Sequence, residues 1–221
     1  IGSEFVGNQA VRDGPSGLAG AIFSQSPTLL IAGSEFRFNS ASGTGVAEVT
    51  GETVILASDF EDNVSEGSGG ALLLRENARV LNSRFINNSA IDFDGGAIVA
   101  TGENVIRNSL FAGNTAGRNG GAIDTSGDLL TIENSTISGN TANGTGSSDG
   151  GGGIFLDGFS FGDTLEIVHS TIQGNTTAAN GGGIGIDRGT LRLGHTILAN
   201  NSAAGSGNDL DGFGRSIGYV L

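Results

Sequence analysis

Phe85-Ile86-Asn87-Asn88, followed by Gly95-Gly96-Ala97-Ile98, decides the fold of this chain, because the pair recurs. Phe111-Ala112-Gly113-Asn114 leads to Gly120-Gly121-Ala122-Ile123 in the same way. Outward from these two copies the apolar-x-x-Asn anchor extends to Phe5/Asn8, Phe36/Asn39, Phe60/Asn63, Ile137/Asn140, Ile172/Asn175 and Ile197/Asn200. Successive anchors lie 31, 24, 25, 26, 26, 35 and 25 residues apart. A self-similar period in this range signals stacked supersecondary units.

The columns of the repeat read as structure. Two positions before the anchor stand Ser3, Ser34, Ser58, Ser83, Ser109, Ser135 and Ser170, with His195 in the last copy. Three positions before it stand Asn82, Asn108, Asn134 and then His169. Short alternating stretches such as Leu29-x-Ile31, Val54-x-Leu56, Leu130-x-Ile132 and Leu165-x-Ile167 read as strands. Gly51-Glu52, Gly102-Glu103 and Gly127-Asp128 mark turns before them. No segment has a helical period.

Two or three short strands within such a repeat make one coil of a right-handed parallel β-helix, an all-β solenoid of about eight coils. A propeller blade needs four strands and 40 or more residues. Stacking in register at roughly 4.8 Å per coil lets identical Asn side chains bond one another and places Phe on Phe, in a rod roughly 38 Å long. The expected structural ladder is Asn8, Asn39, Asn63, Asn88, Asn114, Asn140, Asn175 and Asn200. Gly2-Ser3-Glu4-Phe5 is matched by Gly33-Ser34-Glu35-Phe36 at the same phase, so both belong to coils. Residues 1–221 read as a single β-helix domain. With no Met for an initiator, it is expected to be a fragment of a longer chain.

Composition narrows the chemistry. Gly is 41 of 221 residues and Pro only 2. Hydrophobic content of 37% with 15% charged residues predicts an ordered chain. The net charge of −13 disfavours nucleic acid and anionic lipid as partners. All ten basic residues are Arg, which excludes a lysine nucleophile or Schiff base. Cys is absent, so there is no disulfide or thiolate metal site. No apolar run reaches the 18 residues that would span a membrane directly.

The pairing of F-x-x-N with G-G-A-I resembles the repeats of the chlamydial polymorphic outer-membrane proteins. Those are surface-exposed autotransporter passengers implicated in adhesion; this chain departs from them in lacking a β-barrel segment. Thr196-Ile197-Leu198-Ala199-Asn200-Asn201, with Gly207-Asn208-Asp209-Leu210-Asp211-Gly212 and Ser216-Ile217-Gly218-Tyr219, resembles the choice-of-anchor Q repeat domain of large secreted or surface bacterial proteins. The resemblance covers essentially the whole chain. It implies a non-catalytic structural or adhesive segment on a bacterial outer surface. Its partners would be proteins or glycans, with self-association through uncapped ends.

Several clusters carry alternative chemistry. His169 and His195 correspond if one residue is deleted from the last copy, and either extend the Asn82-Asn108-Asn134 column or supply a metal pair or a general base. Asp59, Glu61 and Asp62 surround one anchor, with Arg75, Arg79, Arg84 and Arg107 expected in neighbouring coils. Asp92/Asp94 and Asp209/Asp211 flank turns. Such sets serve polysaccharide lyases or inverting glycosidases on this fold. The chain has one Tyr and no Trp for sugar platforms. No cofactor is expected, although a loop could hold calcium. The sixth copy is the most irregular: a loop over residues 141–152, then Phe155, Asp157, Phe159 and Phe161, which either contact a glycan or protein or belong to a loop that folds back and buries its own aromatics. Asn63, Asn87, Asn134, Asn143, Asn175 and Asn200 begin Asn-x-Ser/Thr triplets.

Overall fold

The computed structural model describes residues 1–10, 19–43, 45–158 and 162–212. The chain winds through four parallel sheets, here A to D, visiting each once per turn. Sheets A, B and C are eight strands deep and sheet D seven, giving seven full coils and an eighth of three strands. Coil 5 is typical, with Leu110–Ala112 in sheet A, Thr115–Ala116 in B, Ile123–Thr125 in C and Leu129–Glu133 in D. Among the described residues no helix is long and apolar enough to cross a membrane.

Register explains why the repeat is visible in the sequence. Phe85 pairs with Phe60 below and Phe111 above. Any inward residue therefore sits on its equivalent one coil away, and the bore selects for columns. Phe5, Phe36, Phe60, Phe85 and Phe111 form one continuous stack, with ring centroids 4.6 to 4.9 Å apart and planes within 4° of parallel. Ile137 and Ile172 continue it. Opposite them run the buried columns Leu72-Ile98-Ile123-Ile154-Ile184 of sheet C and Ile55-Val80-Ile106-Ile132-Ile167 of sheet D.

The corner between sheets A and B would leave buried polar backbone, and the Asn column resolves this. Asn114 donates its backbone N–H and one amide hydrogen to Oδ1 of Asn140, both at 2.9 Å. Its second amide hydrogen goes to the carbonyl of Phe85 at 3.0 Å. Oδ1 of Asn114 in turn accepts both bonds from Asn88. The pattern runs from Asn8 through Asn39, Asn63, Asn88, Asn114, Asn140 and Asn175. The Ser column does the same at the D-to-A corner. Each backbone N–H from Ser3 to Ser135 donates to the next Ser Oγ, while from Ser34 to Ser170 Oγ donates to a carbonyl two residues back.

The eighth coil corrects the sequence reading by one residue. Asn175 bonds to Asn201, not Asn200, and Ile172 pairs with Leu198, not Ile197. Ile197 and Asn200 are exposed, and Asn200 takes the left-handed turn position (φ 57°) also held by Asp62 and Asn87. Asn201 then donates to Oδ1 of Asp209, which ends the column. Thr196, not His195, therefore continues the Ser column, with its hydroxyl donating to Gly194 and Ile167 carbonyls. His195 aligns with His169 with no deletion needed.

The Gly-Gly pair has two separate causes. Gly95 and Gly120 have φ of 68° and 60°, where L side chains are strained. Gly96 and Gly121 have no such φ, but an added Cβ would lie 2.1 Å from the carbonyl oxygen of Gly121 and Gly152 respectively, in the coil above.

Candidate functional site on the outer face of sheet C

Sheet C differs from the other sheets because in coils 3 to 7 its outward residues are also covered. The chain folds over them at the Gly-Gly turn: a Cβ on Gly95 would strike Val99 Cγ2, and one on Gly151 would strike Phe155 Cβ. The outward column reads Leu73, Val99, Asp124, Phe155 and Gly185 in successive coils. It forms a small second core outside the bore.

Asp124 is out of place there. It lies on a strand, not in the turn suggested by Asp124–Gly127. Its neighbours Ile123 and Thr125 point into the bore, so its own side chain points outward between Val99 and Phe155. It is only 6% exposed; its side chain makes no hydrogen bond or ion pair among the described residues, and its carboxylate oxygens keep slight contact with solvent. Burial holds its carboxyl well above the ordinary range, and the charges of Asp94 and Asp157 push it the same way; Arg118 acts weakly against them.

Two partly buried acids flank it. Oδ1 of Asp94 accepts from the backbone N–H of Asn119 at 3.1 Å, and Oδ2 lies 3.8 Å from Arg118 Nη1. Burial raises its affinity for a proton despite Arg118. Asp157 stands at a bulge in sheet C and is raised by burial and then by Asp187, against Arg188. Arg118 also approaches Asp149 at 3.9 Å, and Asp149 Oδ2 accepts from Gly146 N–H at 2.7 Å. Beyond Phe155, on coils 6 to 8, lies a notch of about 150 Å³ bordered by Asp149, Phe155, Asn180, Asp187 and Asp211; Asp94, Asp124 and Asp157 do not line it. Several acids held together with raised proton affinity, beside few cations, is an arrangement that functional sites share.

Of the residues expected to matter in the sixth copy, Phe155 and Asp157 both lie on the sheet C strand Ile154–Asp157. Phe155, however, is 3% exposed and part of a sheet C strand, so it forms the floor rather than a projecting contact. Phe159 and Phe161 lie outside the described residues. The loop between sheets B and C spans residues 143–149, since Thr141 and Ala142 are already strand and Gly150 bridges to Asn180. Asp124, Asp94 and Arg118 were missed as a group. The available signal was an acid at a position where the neighbouring coils have Val and Phe.

Other expected clusters disperse. Arg84 does meet Asp59, at 3.6 Å, and Arg37 joins Glu35 and Glu61. Arg75 instead pairs with Glu48 on sheet C, and Arg107 with Glu133 on sheet D. Arg79 borders a larger hollow of about 480 Å³ on sheet D. In that hollow Asn104 is already bonded to Ala78 N–H and the Thr101 carbonyl. His169 and His195 stack at 5.1 Å and take φ of 52° and 50°, the same left-handed corner as Asn82, Asn108 and Asn134. They extend that column. Among the described residues no group of three or more His, Asp or Glu is arranged to hold a metal ion. Of the Asn-x-Ser/Thr triplets, Asn63 and Asn175 are buried in the ladder, while Asn87, Asn134, Asn143 and Asn200 are exposed.

A family model described as "Right handed beta helix region" matches residues 5–161. No curated protein and no solved structure matches the chain. The match spans well over half of the 221 residues, and the chain belongs to that right-handed β-helix family.

Proposed function

We propose that this β-helix is a structural and adhesive segment of a bacterial cell-surface or secreted protein. It acts without catalysis, and its attachment surface is the outer face of sheet C from coil 4 to coil 8. The supporting observation is where the repeat departs from itself. The Phe, Ser and Asn columns satisfy their own packing and hydrogen bonds coil by coil, so they have nothing left to offer a partner. The irregular loop, the unpartnered acid and the notch all fall on one face. The likeness of the repeats to the chlamydial polymorphic outer-membrane proteins and the choice-of-anchor Q domain supports the location. Glycans or proteins of a cell surface are the partners this reading expects. Stacking of copies end to end belongs to the same proposal and is tested by concentration-dependent sedimentation.

The test is adhesion of the purified domain to a panel of immobilised glycans and surface proteins. Residues 143–149 are replaced by the shorter turn of coil 5, and Asp157 and Asp187 are changed to Asn. Loss of adhesion in these variants, with an unchanged melting temperature, is expected. Adhesion that survives all three changes sinks the assignment of the face.

One observation favours a second reading, a polysaccharide-active hydrolase. Asp124, whose affinity for a proton is raised by burial, lies near two other acids, Asp94 and Asp157, and glycosidic cleavage uses paired carboxyl groups. Its lyase counterpart is less well served, since Arg75, Arg84 and Arg107 are each engaged by a carboxylate. The hydrolase reading requires new reducing ends from a neutral polysaccharide and their loss in Asp124→Asn.

A further inference from the structure

From the register of the last coils, we infer that His169 and His195 together bind a divalent transition-metal ion through their two imidazoles, leaving its other positions to water or an outside ligand. The pair lies at the corner between sheets D and A, away from the outer face of sheet C. The inference is therefore independent of the attachment reading.

The first observation is placement. The chain has only two His and neither Cys nor Met. Imidazole is thus its only side chain of the nitrogen and sulfur kind that copper, nickel and zinc prefer. Val168 pairs with Gly194 in sheet D, and the next residue in each coil is the His. The two rings stack with centroids 5.1 Å apart and planes 16° from parallel. The whole imidazole complement of 221 residues is gathered at one point.

The second observation is that both rings are free to ligate. They hold the left-handed corner that Asn82, Asn108 and Asn134 hold in the coils below. There Asn108 donates to Asn82 at 3.1 Å, but neither imidazole makes a hydrogen bond or ion pair among the described residues. Both side chains are exposed. A corner kept for its backbone alone is served by Asn; His adds a ring nitrogen with a lone pair.

The surroundings suit a cation. The outward residues just before this corner are Arg107, Glu133, Val168 and Gly194 in coils 4 to 7. The one cation among them, Arg107, is engaged by Glu133 at 2.7 Å. The net charge of −13 draws metal ions towards the surface. Metal–imidazole bonds of about 2.1 Å put two nitrogens of one tetrahedral shell about 3.4 Å apart. Exposed rings reach that separation by tilting their tips together about χ1 and χ2.

Electron paramagnetic resonance with copper(II) iminodiacetate tests the pair. The chelate leaves room for two imidazoles and suppresses multidentate capture by surface carboxylates. The intact chain should bind one equivalent, with nitrogen couplings from two imidazoles. His169→Asn and His195→Asn retain the residue used at this corner in lower coils, and each should weaken binding by at least roughly tenfold. Thermal melts without metal check that both variants are folded. No bound equivalent, or couplings from a single imidazole, overturns the inference. So do two equivalents of which each variant loses one, because these are separate single-His contacts. Binding that survives in both variants belongs to carboxylates and overturns it equally.

Discussion

Asn175 gives its backbone N–H and a side-chain amide hydrogen to Oδ1 of Asn201, at 3.0 and 2.9 Å, and neither to Asn200 next door. Adjacent residues of the same type thus have opposite roles, one inside a continuous column and one on an exposed left-handed corner. Asn201→Ala should cost about 2–4 kcal/mol, because it strands two donors on Asn175 and the Ile172 carbonyl. Asn200→Gly keeps the corner conformation and should change stability by less than about 0.5 kcal/mol. Paired denaturant melts check this, and equal effects would place the ladder wrongly.

The aromatic stack should respond to truncation at its centre. Phe85 lies between Phe60 and Phe111 at 4.9 and 4.7 Å. Phe85→Ala should destabilise by about 3–5 kcal/mol, the range for a buried aromatic replaced by a cavity. Phe85→Leu should cost clearly less, since the bore already accepts Ile at the equivalent position in coils 6 and 7. Urea midpoints for the two variants provide the measurement.

The two glycines of each pair, and a third glycine elsewhere, separate conformation from space. Gly96→Ala should prevent the native register at coils 4 and 5, as its Cβ meets a carbonyl at 2.1 Å. Gly139 needs only its left-handed φ of 64° and has open space around it. Gly139→Asn should therefore fold with a loss of at most about 1 kcal/mol, matching the Asn found at the same corner in coils 4 and 8. Circular dichroism and proteolysis of both variants test the contrast.

Asp94, Asp124 and Asp157 all hold their protons more tightly in the folded chain than in the unfolded one. The folded state then binds more protons, so this contribution falls as pH rises. It is fully present below the ordinary Asp value of about 3.8 and is lost as pH climbs through the raised folded values. Asp124→Asn keeps the shape and removes the largest of these penalties. At neutral pH it should stabilise the protein by about 1–3 kcal/mol, with little gain below pH of about 4. Melting curves across this range provide the test; a gain independent of pH would show that ionisation was not the cause.

The fold was legible in the sequence because stacking in register repeats each structural demand once per coil. Phe, Ser, Asn and Gly-Gly each had a single physical reason to recur. The eighth coil misled for a local reason. Asn200-Asn201 repeats the pair Asn87-Asn88, in which the second residue is the ladder member, but Ile197 and Leu198 offered two acceptable anchors. The site was far less legible. Asp124 differs from its column only by sitting where Val99 and Phe155 sit, and that the outward side of sheet C is buried could not be read from alternation. For the same reason the sequence left Phe155 open between a contact and a self-buried aromatic, since nothing in its flanking residues says that a glycine turn covers it.

The Asn column also has a chemical clock. Its side-chain oxygens all accept from the coil below: each amide gives one hydrogen to the Oδ1 above and one to a carbonyl below, and Asp209 receives the last. Conversion of any interior Asn to Asp would place such a receiver in the middle. An oxygen would then face the oxygen of the next coil, and the column would be interrupted there. Asn followed by Gly is the sequence in which an amide is most easily lost. The column members Asn39 to Asn201 are followed by Ser, Val or Thr, whereas the Asn-Gly pairs at Asn119, Asn143 and Asn180 lie outside it. The column thus keeps its Asn residues out of the context in which they would age fastest.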